Sequence, residues 1–163
     1  MKKVLASMCL VLPGMAAPLT SHAEGGAVDI VISAVSTVYA VQMGDTAVTA
    51  RGGNGTATFI RSGAGPFVEG ASGSVQFASF SKKTATGFEL EADGVATFSS
   101  NDTLQLLFKR RSGDLAAGTS GEGVLNLTGG AGRFAGVTGE CKYKVDNLPG
   151  NWNVTIAKSQ WSR

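Results

Sequence analysis

The sequence predicts an all-β protein, built as one closed up-and-down barrel or one sandwich of about eight short antiparallel strands. Three observations support this: apolar and polar residues alternate along short runs, turn residues separate these runs at regular spacing, and no segment has a long amphipathic helical period. A single antiparallel barrel is favoured, because closure removes exposed strand edges. Residues 24–163 are expected to form one domain, since ~140 residues bury roughly two-thirds of the unfolded chain's surface.

Strand-like runs follow one another along the whole of this domain. The first runs, VSTVYAVQM, TAVTAR and TATFIR, are rich in Val and Thr, which favour strands. The later runs, SVQFASF, GFELEAD, TLQLLFKR, GVLNLTG, ECKYKV and WNVTIAK, alternate in hydrophobicity with a period of two. The most loop-like segment between them, 63–73, is either a surface loop or a flap over one barrel end.

The alternation assigns side chains to faces of the strands. In GFELEAD, apolar residues alternate with a row of carboxylates, Glu89, Glu91 and Asp93. Glycosidases use two carboxylates, but carboxylates spaced by two on an outward face are typical of a solvated surface. In the last strand, Trp152 alternates in phase with the apolar residues that follow it and is predicted to lie in the core. Trp161 is predicted to close one end of the barrel.

Residues 1–23 have the pattern of a secretory signal peptide. A basic start, Lys2-Lys3, precedes an apolar run at 4–12, and the tripeptide Ser-His-Ala before residue 24 is a small-x-small cleavage site. A transmembrane anchor is the alternative, but the apolar run is well short of the ~20 residues that cross a bilayer as a helix. The mature chain is therefore expected to be exported, periplasmic or extracellular in a bacterium, and not to span the membrane.

Charge and cysteine content limit the partners of the mature chain. Cleavage would remove two of the 14 basic residues, and the remaining 12 equal the 12 acidic ones. A formally neutral chain argues against electrostatic binding to nucleic acid or to a membrane surface. The basic cluster at 109–111 is interpreted as a solvated strand end. Cleavage would also remove Cys9 and leave Cys141 alone, so no intrachain disulfide is expected.

The segment GGAGRFAGVTG, at 129–139, contains five glycines in eleven positions. It does not fit a dinucleotide-binding loop, because the third glycine comes one residue late and a strand follows instead of a helix. A Walker phosphate loop is excluded, since no Gly-Lys-Ser/Thr follows. The glycines are interpreted as backbone devices for positive φ in a turn, bulges and close approach, with Phe134 as an apolar plug. They are Gly129, Gly130, Gly132, Gly136 and Gly139.

The stretch LTGGAGRFAGVTGE resembles the Gly-Gly-x-Gly-x-Phe-x-Gly-x-x-Gly signature of the allene oxide cyclase barrel and dirigent-like superfamily. The resemblance is specific over residues 127–139 and looser over the C-terminal half. It implies a calycin-like, eight-stranded antiparallel barrel of the allene oxide cyclase type, in which this motif is a structural hairpin. It also implies a lumen that holds one small apolar or aromatic molecule, and it leaves a homo-oligomer open.

Few kinds of catalytic or metal site are possible in the mature chain, because the only histidine, His22, lies in the predicted signal peptide. Its absence from the mature chain excludes Ser-His-Asp and Cys-His catalysis and most zinc sites, so no metal or cofactor is expected. Cys141 and Tyr143 share one strand face, where they either bind or protonate a polar ligand group or belong to the core. The predicted ligand-binding residues are Cys141, Tyr143, Phe88, Leu90 and Phe108.

Three functions remain open for such a barrel. The first is an exported protein that binds a small hydrophobic or aromatic molecule in its lumen. The second is a cyclase or isomerase acting in the same lumen, which needs an inward acid or phenol, and the third is a purely structural or interaction barrel. A small outer-membrane barrel is disfavoured, because aromatic residues are only 7% of the chain, whereas such barrels carry aromatic girdles.

Overall fold

The eight strands of the fold pair in chain order, and the last strand pairs with the first, so the sheet closes on itself. A computed structural model describes residues 24–63, 65–111 and 120–163; the predicted signal peptide lies outside these ranges. The strands are β1 (Gly25–Met43), β2 (Thr46–Ser62), β3 (Ser72–Lys83), β4 (Phe88–Thr97), β5 (Thr103–Arg110), β6 (Ser120–Ala131), β7 (Thr138–Leu148) and β8 (Trp152–Ser162). The prediction of an all-β, eight-stranded antiparallel barrel is confirmed, and the sandwich is excluded.

The two ends of the barrel carry different connections. One end, called the closed end below, carries the β2–β3, β4–β5 and β6–β7 connections. Residues 24 and 163 also meet there: the backbone N–H of Arg163 donates to the carbonyl oxygen of Glu24 at 2.8 Å, and their side chains form an ion pair. The other end, called the mouth, carries, among the described connections, the β1–β2 and β3–β4 turns and the segment Pro149–Asn151 before β8, a 3₁₀ turn interrupted at Gly150, which has a φ of 77°.

An aromatic plug fills the closed end. Phe59 stacks on Phe98 with 4.6 Å between ring centroids, and Phe67 meets Phe59 edge-on at 5.0 Å. Phe134 is fully buried at 5.4 Å from Phe67, which in turn lies 5.4 Å from Trp161. Because Phe67 belongs to the β2–β3 connection and is buried, this connection covers the closed end and is not a free surface loop. Aromatic pairs of this kind contribute ~0.5–1.5 kcal/mol each beyond their buried area.

The glycine-rich segment shapes the passage from β6 to β7. Gly129 has a φ of 121° and Gly132 a φ of 61°, both in the region that favours glycine. Gly129 does not lie in a turn, as the sequence had suggested, but within β6, where the register with β5 shifts between Leu104 and Leu106. This shift is a β-bulge: β6 carries one residue more than β5 there, so the strand bends toward the 3₁₀ turn Gly132–Phe134 that inserts Phe134 into the plug.

The prediction of which β8 side chains point into the barrel was wrong. Trp152 and Ile156 are 47% and 44% exposed and lie on the outer face, whereas Ala157 and Trp161 are 0% and 4% exposed and point inward. The inward row of β8 consists mainly of small or polar residues, Asn153, Thr155, Ala157 and Ser159, and Ala157 pairs with Tyr143 of β7. The inward row of β8 is therefore less apolar than the outward row, and hydrophobic alternation pointed to the wrong face. The prediction for Trp161, which belongs to the plug, is confirmed.

Candidate functional site: a cavity at the mouth of the barrel

A cavity of about 120 Å³ lies in the lumen on the mouth side. The plug fills the opposite end, so among the described residues the cavity opens toward the mouth. An apolar cavity of about 150 Å³ accommodates one benzene ring. The size of the mouth cavity therefore corresponds to a single ring or an aliphatic group of similar volume, with further space toward the solvent.

Apolar side chains from five strands form the wall of the mouth cavity. They are Ile32, Ala34, Val75, Phe77, Leu90, Ala92, Phe108 and Val145. Phe108 meets the ring of Tyr143 edge-on, with 5.5 Å between centroids and an interplanar angle of 80°. The two alanines leave the space that the larger side chains do not fill. A mostly apolar wall is the usual lining of sites for small organic molecules.

Two glycines on the inner face make room for the aromatic side chains of this wall. A Cβ on Gly53 of β2 would lie 2.6 Å from the ring of Phe77. A Cβ on Gly123 of β6 would lie 2.6 Å from the ring of Tyr143 and equally close to the carbonyl oxygen of Lys109. Both rings therefore lie directly over backbone, where any other residue would displace them.

Arg110, the last residue of β5, points inward at the mouth and is only 4% exposed. Its guanidinium carbon lies 5.4 Å above the ring centroid of Phe88, a cation–π distance, and occupies the space over Gly121. The interpretation of the basic cluster at 109–111 as a solvated strand end was therefore wrong for Arg110. Its position continues the inward phase of Leu104, Leu106 and Phe108, and the alternation could have identified it.

Polar side chains form the rest of the lining, nearer the mouth. They are Arg51, Ser79, Ser81, Arg110, Tyr143, Asn147, Asn153 and Thr155. The two asparagines are direct partners across the β7–β8 ladder, and Arg51 is the partner of Ser79 across β2 and β3. Within the described part of the chain, no aspartate or glutamate lines the cavity. The polar part of the lining thus contains amides, hydroxyls and two guanidinium groups, of which that of Arg110 is engaged within the protein.

The phenol of Tyr143 is a hydrogen-bond donor at neutral pH. Burial raises the pKa of this hydroxyl, and the positive charge of Arg110 partly opposes the rise. The group therefore keeps its proton at neutral pH and can offer it to an acceptor on a bound molecule.

No model of a known protein family matches the sequence, and no curated protein matches it at a significant level. In residues 24–63, 65–111 and 120–163, no helix is long and apolar enough to cross a membrane. Over the same ranges, no cluster of three or more His, Cys, Asp or Glu side chains is arranged to hold a metal ion. The likeness to the allene oxide cyclase barrel stays a prediction from residues 127–139.

Cys141 shares the inward face of β7 with Tyr143 but does not line the cavity. It is fully buried in the core, opposite Leu125 of β6 and Ser159 of β8. Burial raises the pKa of its thiol to about 11, and a hydrogen bond with the Ser159 side chain only partly offsets this. The thiolate, which is the nucleophilic form, is therefore scarce at neutral pH.

The five predicted ligand-binding residues separate into two groups. Leu90, Phe108 and Tyr143 line the mouth cavity. Phe88 lies beneath Arg110, and Cys141 lies in the core; neither contributes to the lining. The sequence analysis did not select the other lining residues, which are Ile32, Ala34, Arg51, Val75, Phe77, Ser79, Ser81, Ala92, Arg110, Val145, Asn147, Asn153 and Thr155.

Proposed function

We propose that this protein is exported and binds a small, largely apolar molecule in the lumen of its barrel. The observation that supports binding is the mouth cavity itself: an apolar wall, a polar rim and aromatic rings that plug the opposite end of the barrel. Sites for small molecules combine these features, because apolar contact supplies affinity and a few polar groups supply orientation. Export is supported by the signal-peptide pattern of residues 1–23.

The cavity is built from strands and not from loops, which favours binding with little rearrangement. Its wall residues lie in the hydrogen-bonded parts of β1, β3, β4, β5 and β7. A site on paired strands loses little conformational freedom on binding, so more of the contact energy remains as affinity. Membership of the allene oxide cyclase and dirigent-like superfamily is part of the proposal, and the eight-stranded closure and the bulged glycine segment are compatible with it.

Binding is favoured over catalysis as the role of this lumen. A cyclase or isomerase would need an inward acid or phenol, and the described lining offers the Tyr143 phenol and no carboxylate for that role. Burial raises the pKa of this phenol, so it donates a hydrogen bond readily and a proton poorly near neutral pH. The phenol therefore suits orientation of a bound molecule better than proton transfer to it.

The experiment that tests lumen binding compares two matched substitutions. Ala92→Phe places a ring inside the cavity, whereas Ala78→Phe places the same ring on the outer face of β3, where residue 78 is exposed. The purified protein is titrated with toluene and indole, and amide chemical shifts are followed by NMR. We expect shifts that map to the cavity wall in the wild type and in Ala78→Phe, and none in Ala92→Phe.

Two outcomes would overturn lumen binding. One is the absence of any saturable shift in the wild type with either probe. The other is unchanged binding in Ala92→Phe, which would place the probes elsewhere on the protein. Urea unfolding of both variants checks that each is folded, and native mass spectrometry of protein purified from its exporting cells would identify a molecule that is retained.

A further inference from the structure

The mouth cavity has an uneven charge distribution that bears on the class of its ligand. Arg51 and Arg110 line it, and no described aspartate or glutamate does. The chain from residue 24 onward is formally neutral, so a positive charge at this cavity is a local feature and not one of the protein as a whole. A cleft lined by one sign of charge attracts the opposite charge.

Arg51 differs from most of the described arginines. Arg61 pairs with Asp29 at 3.2 Å, Arg133 with Asp102 at 3.6 Å, and Arg163 with Glu24. Arg51 is half-buried on the inner face of β2, yet it makes no ion pair or hydrogen bond through its side chain with any described residue. A guanidinium group that is partly removed from water gains most from a carboxylate, which it can bind through two parallel N–H groups.

Arg110 also lines the cavity, but its guanidinium is engaged by other parts of the protein. Its guanidinium is held at the mouth by the ring of Phe88 and by the space over Gly121. It lies close enough to the Tyr143 phenol to oppose the effect of burial on that group. Arg110 has interactions of its own within the protein, so the charge of this lining that is available to a ligand is that of Arg51.

The apolar wall of the cavity determines the size and the hydrophobic character of the rest of the ligand. A volume of about 120 Å³ lined by Phe77, Phe108 and Leu90 suits one aromatic ring or an aliphatic group of similar size. The rim amides of Asn147 and Asn153 and the Tyr143 hydroxyl supply further donors beside Arg51. The apolar wall inside the cavity and the hydrogen-bond donors at its rim are complementary to a molecule that has an apolar body and one acidic group at one end.

We propose that the ligand of the mouth cavity is a small carboxylate with one aromatic ring or a comparable aliphatic group, oriented with its carboxylate at Arg51. This inference rests on the lumen binding proposed above and adds the charge of the ligand to it. The ring lies against Phe77 and Phe108, and the acid lies at the polar rim.

The test uses three probes that separate charge from apolar contact: benzoate, neutral benzamide of nearly the same shape, and acetate, which has the acid without the ring. Their affinities are measured by amide chemical-shift titration. We expect benzoate to bind the wild type roughly tenfold or more tightly than benzamide, because a charge-assisted hydrogen bond is stronger than a neutral one. Acetate is expected to bind far more weakly than benzoate.

Two matched substitutions locate the charge effect. Arg51→Gln removes the guanidinium at the rim, and Lys158→Gln removes one positive charge from the exposed outer face of β8. We expect Arg51→Gln to reduce the preference for benzoate over benzamide to roughly twofold or less, and Lys158→Gln to leave it unchanged. Urea unfolding of both variants confirms that the fold is retained.

The possible failures are distinguishable. Equal affinity for benzoate and benzamide overturns the anionic ligand while lumen binding stands. An Arg51→Gln variant that keeps the preference overturns the placement of the carboxylate at Arg51. Acetate that binds as tightly as benzoate also overturns the proposed ligand, because the ring then contributes nothing. If neither benzoate nor the neutral probes toluene and indole bind, both the anionic ligand and lumen binding are overturned.

Discussion

The guanidinium of Arg110 occupies the position that a side chain at residue 121 would need: a Cβ on Gly121 would lie 1.9 Å from Arg110 Cζ. Glycine at 121 is thus a condition for the inward placement of Arg110. The clash involves the far end of a flexible side chain, so a larger residue would displace the guanidinium and leave the backbone in place.

Gly121→Ala is therefore expected to change the cavity without unfolding the protein. The free energy of unfolding should fall by about 1 kcal/mol, since the guanidinium leaves the ring of Phe88 while the backbone stays in place. Loss of the nearby positive charge should raise the pKa of Tyr143 further, because Arg110 now lowers it. Phenolate absorbance during alkaline titration measures this pKa, and a Tyr39→Phe background leaves Tyr143 as the only tyrosine.

Gly123→Ala is the matched comparison for that substitution. Its Cβ would lie 2.6 Å from the Lys109 carbonyl oxygen as well as from the Tyr143 ring, and backbone cannot move aside as a guanidinium can. We expect a loss of ~1–3 kcal/mol of unfolding free energy in urea titrations. Equal stability of the two alanine variants would contradict the argument that Gly121 serves only Arg110.

A second prediction concerns the glycine-rich segment. Gly132 has a φ of 61°, and a Cβ on it would lie 2.2 Å from Asp102 Oδ1 and 2.3 Å from the carbonyl oxygen of Asn101. Gly136 has a similar φ of 75°, but its nearest neighbour would be Arg163 Cγ at 3.4 Å. Gly132→Ala should therefore cost roughly 2–4 kcal/mol, from backbone strain plus overlap, and Gly136→Ala only about 1–2 kcal/mol. Urea unfolding measures both losses, and equal losses would show that the approach of Asp102 is unimportant.

The third prediction separates the plug from the cavity. Phe134 is fully buried and contacts three other rings of the plug, so Phe134→Leu should lower the unfolding free energy by about 1–2 kcal/mol and Phe134→Ala by about 3–5 kcal/mol. Phe80→Ala, on the outer face where residue 80 is 56% exposed, should cost roughly 0.5 kcal/mol or less. Probe binding at the mouth should survive in Phe134→Leu under native conditions. A loss of binding there would mean that the two ends are coupled.

The fourth prediction is a loss of stability at alkaline pH that depends on Cys141. Its thiol pKa is raised from an ordinary value of 9.0 to about 11, so the unfolded chain releases this proton at lower pH than the folded protein. The associated stabilisation is complete below pH 9.0 and is lost as pH rises toward about 11. Urea midpoints between these values should fall more steeply in the wild type than in Cys141→Ala.

Tyr143 contributes to this alkaline effect in the same direction, because burial also raises the pKa of its phenol. A Tyr143→Phe background therefore isolates the thiol. Native Cys141 should also react slowly with iodoacetamide at neutral pH, since the thiolate is scarce and the side chain is fully buried. Identical pH slopes with and without the thiol, or rapid alkylation of the folded protein, would contradict the burial of this residue.

The strands could be predicted from the sequence because their inward residues are mostly larger and more apolar than their outward ones. In β4, Phe88 and Ala92 are buried while the carboxylates between them face the solvent, and alternation identifies such a strand directly. β8 shows the limit of this signal. Ala157 is a small inward residue that pairs with the much larger Tyr143 of β7, and such a pairing is not visible in the run itself.

The site could be predicted only where its residues are apolar or aromatic. Leu90, Phe108 and Tyr143 were selected because they alternate with polar residues. Arg51 and Arg110 were not selected, because a charged residue is expected to face solvent unless something compensates for its burial. For Arg110, part of that compensation is the cation–π contact with Phe88, and the absence of a side chain on Gly121 leaves room for the guanidinium. Phe88 and Gly121 become neighbours of Arg110 only when the barrel forms.

Glu24 and Arg163 meet at the closed end, so both residues lie at the end of the barrel opposite the mouth. Anything attached to residue 24 or 163 leaves the barrel on the side away from its entrance, so a tag or a solid support coupled at Arg163 would leave the entrance facing solution. The same proximity makes the barrel a good candidate for circular permutation, with a short linker from 163 to 24 and new termini in the β3–β4 turn at 84–87. In such a permuted chain the new termini would flank the entrance, and a fluorophore placed there would report directly on what enters.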